Sequence, residues 1–264
     1  MDNRLYIIEG LPCSGKSTFS KYIADILSEN HKVSYTDEGS GDHPADYEFH
    51  SFLKENELSS FSADEQKKIK SCSEKISDGY IIPLADLSGE IFDRLIQHKI
   101  YDFLPWETEK PLMLRKWKCF RDSADKETIY VFNCVLLQNP MCETMMRFGF
   151  SADISFGYIS EITDIIKPMK PYVIYLKNTD ISSSVKKAAA ERNGWLDAVT
   201  DYHVNGEYGK SIAASGFEGY ISCLEERQRR ELDILSRLGI EYTVIDEPQR
   251  DYAAACEKIK EILK

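Results

Sequence analysis

The hydrophobic positions of the chain fall into two kinds of pattern. Short runs rich in apolar, β-branched and aromatic residues occur at Leu5–Ile8, Val33–Thr36, Thr128–Leu137, Tyr172–Leu176 and Tyr242–Ile245. Runs of this length without sustained alternation predict strands covered on both faces, and the longest, Thr128–Leu137, is expected to lie centrally. Between the runs, apolar residues recur at helical spacing. Phe19, Tyr22, Ile23, Ile26 and Leu27 follow the first run, and further helices are predicted over about 182–192, 209–237 and 251–263. Strands alternating with helices predict an α/β three-layer sandwich, a parallel sheet of about five strands with helices on both faces. Ligands of such sheets sit beyond the carboxyl ends of the strands.

The stretch 45–126 breaks this rhythm. Its pattern predicts mostly helices, over Tyr47–Leu53, Ala63–Ile76, Gly89–His98 and Leu112–Arg121, punctuated by Pro83, Pro105 and Pro111. The expected organisation is one domain over 1–264 that carries a helical insert at 45–126. No stretch approaches the roughly 18 apolar residues of a spanning helix. The seven cysteines are widely spaced with no C-x-x-C pair, which suggests neither a disulfide framework nor zinc and points to the cytoplasm. With a net charge of -11 and scattered basic residues, the chain lacks the basic stripe that a nucleic-acid backbone requires.

The most specific motif is Gly10-Leu11-Pro12-Cys13-Ser14-Gly15-Lys16-Ser17, followed by Thr18. It matches G-x-x-x-x-G-K-[ST], placed after a predicted strand and opening a predicted helix. The glycines let the backbone approach a polyphosphate, the first amides of the helix point at its oxygens, and Lys16 reaches the β and γ phosphates. The Ser17 hydroxyl is expected to ligate magnesium. Gly10, Cys13, Ser14, Gly15, Lys16, Ser17 and Thr18 are therefore the candidate nucleotide-binding residues, with ATP and Mg2+ as cofactors. An N-K-x-D element selecting guanine does not follow the fourth strand, where the chain reads Leu176-Lys177-Asn178-Thr179-Asp180.

Through GLPCSGKST the chain resembles the P-loop small-molecule kinases, the group of thymidylate kinases, deoxynucleoside kinases and chloramphenicol-phosphotransferase-like enzymes. The order of the later elements is also similar, from the YVIYL strand and the basic helix after it to the terminal strand at Tyr242–Asp246. The resemblance leaves the middle third uncovered. The Asp-Arg-Tyr element of thymidylate kinases has no counterpart, which counts against a nucleoside monophosphate acceptor. It implies that a carboxylate at the end of the second strand contacts the acceptor hydroxyl, a place held by Asp37 and Glu38, with Asp37 preferred as nearer the strand. It also implies a lid-like segment over the phosphates, here 180–208, in which Arg192 is the leading residue and Lys186 and Lys187 are secondary.

Further candidates around the acceptor are Asp42, Arg121 and Gln138, with Tyr47 and Trp106 as possible pocket walls. His43 beside Asp42 reads as a turn-shaping His-Pro pair, since no second His stands at ligand spacing. The central strand should end in a magnesium-orienting carboxylate, yet Asn133 stands there and the next acid is Glu143. Either Asn133 holds a metal-bound water or Asp37 or Glu38 supplies the charge. Cys13 lies near a helix start and Lys16, an environment that lowers a thiol pKa. The leading expectation is a kinase that transfers the γ phosphate of ATP to a hydroxyl or phosphate of a small molecule, with the insert forming part of the acceptor site. The alternative is a nucleotide-dependent regulatory ATPase or switch. No nucleic-acid or membrane partner is expected, and homodimerisation stays open.

Overall fold

The structure is a computed structural model that describes residues 3–264. Its strands are β1 Leu5–Gly10, β2 Lys32–Thr36, β3 His50–Lys54, β4 Glu74–Ile76, β5 Gly79–Pro83, β6 Thr128–Asn133, β7 Pro171–Lys177 and β8 Glu241–Asp246. The main helices are α1 Lys16–Ser28, α2 Ala63–Cys72, α3 Glu90–Leu95, α4 Trp106–Ser123, α5 Ala152–Ile166, α6 Ile181–Glu191, α7 Trp195–Asn205, α8 Gly216–Arg237 and α9 Tyr252–Ile262. The chain divides into two compact units, one of the segments ending at Glu38 and beginning at Arg121, the other of Gly39–Phe120.

The first unit is built on a five-stranded sheet in the order β2-β6-β1-β7-β8, every pair parallel. Counting only these five strands along the chain, the order is 2-3-1-4-5, the arrangement of a P-loop kinase-like sandwich. All six residues of β1 are buried, as a central parallel strand requires. One face packs Phe19, Ile23 and Leu27 of α1 and Ile259 of α9 against Tyr6, Ile8, Val131, Ile174 and Ile245. Elsewhere Leu11 packs with Ile181 and Val185 of α6 and Tyr220, Ile221 and Leu224 of α8.

Two features at the end of β1 set the site. Gly10 pairs with Leu176 of β7 at φ +143, and a Cβ there would lie 2.4 Å from the Leu176 carbonyl oxygen. Only glycine fits. Glu9 is fully buried, and its carboxylate accepts hydrogen bonds from the amides of Leu136 (2.7 Å), Leu137 (2.8 Å) and Gln138 (3.1 Å). This draws the chain out of β6. The expected strand Thr128–Leu137 accordingly stops at Asn133, and Cys134 turns at φ 54. Burial alone made 134–137 look like strand, because a turn tied to an internal carboxylate is as apolar as a sheet.

Behind the sheet, Arg227 and Glu231 of α8 form a buried pair, Nε to Oε1 3.1 Å, and the Tyr175 hydroxyl donates to Glu231 at 2.6 Å. Removing one member of such a pair costs about 3–5 kcal/mol, because the other charge is stranded. The long helix begins at Gly216 rather than near 209, after Ala213 takes φ 51 and Gly216 φ 56. No helix among the described residues is long and apolar enough to cross a membrane.

The Gly39–Phe120 unit departs from the expected helical insert. It contains an antiparallel sheet in the order β3-β5-β4, with Ser51 opposite Ile82 and Lys75 opposite Tyr80. Residues 47–53, expected as helix, end in β3, and α2 stops at Cys72 so that Glu74–Ile76 forms a strand. Short apolar runs fit both periods, and pairing with β5 decided between them. Gly79 permits that pairing, since a Cβ would meet the Leu53 carbonyl oxygen at 2.2 Å. Leu53, Leu58, Ile69, Ile82, Leu87 and Leu95 give the unit its own core. The Ser62/Glu65 capping box starts α2.

Burial pushes the Glu9 carboxyl up to about 7 from its ordinary value of 4.5, although the three amides pull it down. Because the folded value is the higher one, this contribution to stability is full below pH 4.5 and is lost as pH rises through about 7. Urea midpoints measured between about pH 5 and 8 should show this loss, and Glu9→Gln, which cannot ionise, should flatten it. An unchanged profile in Glu9→Gln would place the titration elsewhere.

Candidate functional site

Residues 10–17 turn from β1 into α1 through an alternation of backbone signs. Cys13 has φ 68 and Gly15 φ 92, and the Ser14 amide donates to the Leu11 carbonyl at 3.2 Å. Such alternation aims successive amides into one hollow. Gly15 caps α1 without a side-chain hydrogen bond, and the first turn carries no acid. The positive end of the helix is thus left for an external anion. The Lys16 ammonium is buried and donates to the Leu11 carbonyl at 3.0 Å, folded along the loop that it would serve.

The ends of β2 and β6 bring three side chains together beside α1. Asn133 Nδ2 donates to Ser17 Oγ at 3.1 Å and to Asp37 Oδ1 at 2.5 Å. An ionised carboxylate only accepts, so this contact fixes which end of the amide faces Asp37. Asn133 Oδ1 is buried with no hydrogen-bond partner among the described residues. Next to this group, Gln138 Nε2 donates to Glu38 Oε1 at 2.7 Å, with Gln138 held from behind by Glu9. The adjacent acids therefore have different neighbours. Glu38 is exposed and Asp37 half-buried.

Lys16, Ser17 and Thr18 open on a cavity of about 510 Å3, whose wall also includes Glu38, Gln138, Lys187, Arg192, Trp195 and Gln249. This volume suits a small-molecule ligand. Arg192 ends α6, with its guanidinium 5.5 Å from the Trp195 ring centroid. Gln249 Nε2 donates to the Cys13 carbonyl at 2.7 Å, joining the turn after β8 to the phosphate loop. Cys13 lines the cavity, but burial raises its thiol pKa and outweighs Arg192 and Lys16, which act to lower it. The expected activation of that thiol is not found.

The remaining candidates are dispersed. Asp42 is an exposed loop residue of the Gly39–Phe120 unit. Beside it, His43 is buried and its Nδ1 accepts from the Ala45 amide at 3.1 Å, shaping a turn. Burial lowers His43 to about 3. Tyr47 is enclosed in its own unit, its hydroxyl 2.9 Å from Arg115 and its ring under Lys116. Trp106 opens α4. Arg121, near the end of α4, pairs with neighbouring Asp122 at 2.7 Å and does not line the cavity. Lys186 lies over the Phe217 ring, whereas Lys187 reaches the cavity.

Sequence reasoning missed Trp195 and Gln249. The first follows Gly194 inside the segment expected to be lid-like. The second lies just past the end of a parallel strand, where ligands of such sheets gather, and that was the only signal for it.

No protein-family profile matches the chain, and no curated protein matches it. Among solved structures, thymidylate kinase from Ehrlichia chaffeensis aligns at TM-score 0.47 and 12% identity, covering 98% of both chains. The YorR protein of Bacillus subtilis, solved in complex with phosphorylated GDP, aligns at TM-score 0.43 and 14% identity, covering 98% of this chain and 95% of that one. The P-loop kinase-like fold of this chain rests on its own strand order and phosphate loop.

Proposed function

We propose that the protein is a phosphotransferase that moves the γ phosphate of ATP, with magnesium, to a hydroxyl or phosphate of a small molecule. The observation that carries this reading is the uncapped phosphate loop opening on a cavity walled by an acid, an arginine and an amide. Loop amides and Lys16 hold the donor phosphates. Gln138 orients Glu38, whose exposed carboxylate takes the proton of an acceptor hydroxyl as its oxygen forms a bond to the γ phosphorus and ADP leaves. Arg192, within the proposed lid-like segment 180–208, stabilises charge on the transferring oxygens. Trp195 and Gln249 wall the donor side.

This reading gives the base role to Glu38, because Glu38 lines the cavity, whereas Asp37, held by Asn133, does not. The donor set fits magnesium: Ser17 Oγ would be a hard oxygen ligand, and the buried, unpartnered Asn133 Oδ1 would accept from one of the ion's waters. When bound there, magnesium neutralises charge on the β and γ phosphates. The acidic net charge of -11 supports a small acceptor rather than nucleic acid.

Labelled ATP offered with nucleosides, nucleotides, sugars and hydroxylated antibiotics should label one class of acceptor. Hydrolysis that no acceptor accelerates would favour a regulatory ATPase instead. Lys16→Ala should weaken ATP binding about tenfold or more, read by calorimetry. Glu38→Gln should lower kcat by about 10²–10⁴-fold with little change in donor KM. Full turnover in Glu38→Gln would return the base to Asp37.

A further inference from the structure

In P-loop sites the metal-binding hydroxyl is accompanied by a carboxylate at the end of a neighbouring strand. Here β6, the neighbour of β1, ends in Asn133, paired with Ile8. An amide carries no net charge, so the anionic partner must come from elsewhere if the metal is to be held. The acids close in sequence or space can be taken in turn. Glu9 is buried and already accepts three backbone amides. Glu143 is buried in the helical segment Cys142–Arg147, where it pairs with Arg147 at 2.7 Å. Glu38 accepts from Gln138. Asp37 is connected to the serine through one side chain, with Asn133 Nδ2 bridging Asp37 Oδ1 and Ser17 Oγ.

We propose that Asp37 supplies the metal-orienting charge of this site and that Asn133 couples it to Ser17, so that the carboxylate function has moved from the end of β6 to the end of β2. The assignment rests on the phosphotransferase reading and deepens it. Three features support it. The β2–β6 register, with Thr36 opposite Phe132, brings Asp37, which follows β2, level with Asn133, which ends β6. Asp37 fixes the amide so that Nδ2 is spent on the bridge, which leaves Oδ1, buried and without a partner among the described residues, as an acceptor for a metal-bound water. Asp37 and Glu38, adjacent in sequence, are also committed to different partners, which separates metal holding from proton removal. Asp37 is thus a positioning residue and acts through Asn133.

The test is the ratio of affinities for a non-hydrolysable ATP analogue measured by calorimetry with magnesium and with chelator, alongside Mn2+ binding by electron paramagnetic resonance. Asp37→Asn should reduce the ratio about tenfold and weaken Mn2+ binding in the nucleotide complex. Asp37→Asn with Asn133→Asp, which returns the carboxylate to the end of β6, should recover most of both. Asn133→Asp alone, with Asp37 in place, should raise the ratio above wild type and supplies an independent arm if Asp37→Asn does not fold. An unchanged ratio in Asp37→Asn, or no recovery in the double variant, overturns the assignment. Wild type that binds the analogue with no metal dependence also overturns it, whereas wild type that binds no analogue in either condition removes the phosphotransferase reading itself.

Discussion

The buried Glu9 carboxylate is the interaction on which the site depends. It occupies the penultimate position of the central strand and takes three amides from a segment more than a hundred residues away. Without an acceptor at that point, Leu136, Leu137 and Gln138 would leave amides buried and unpaired, an arrangement that proteins avoid. With it, β6 ends on time. Asn133 comes to rest beside Ser17, and Gln138 beside Glu38. One residue further along, the close approach of Gly10 to Leu176 lets the same strand become the phosphate loop.

The two adjacent acids at the end of β2 are held by different partners. Consecutive residues leaving a strand point in different directions, so Asp37 meets Asn133 while Glu38 meets Gln138 and the cavity. Both amides act as fixed donors.

The outer frame was legible in the sequence because it follows local rules. Five strands, the helix after the first, the basic helix after β7 and the terminal helix all appear where periodicity put them, and the phosphate loop is a contiguous motif. Less legible were features made by distant residues. The end of β6 was read too late because Glu9 and Leu136 meet only in the fold. The Gly39–Phe120 unit was read as helical because Phe52 and Leu53 satisfy either period until β5 pairs with β3. At the site, Gln249 had no motif of its own, and its bond to Cys13 exists only after β8 has joined the sheet edge.

That bond has a consequence for how the protein is made. Cys13 and Gln249 are separated by 236 positions, so the wall contributed by Gln249 is synthesised long after the loop that it braces. Enclosure on that side waits on docking of β8, so a ligand held only by the enclosed cavity stabilises the folded chain over partly folded forms.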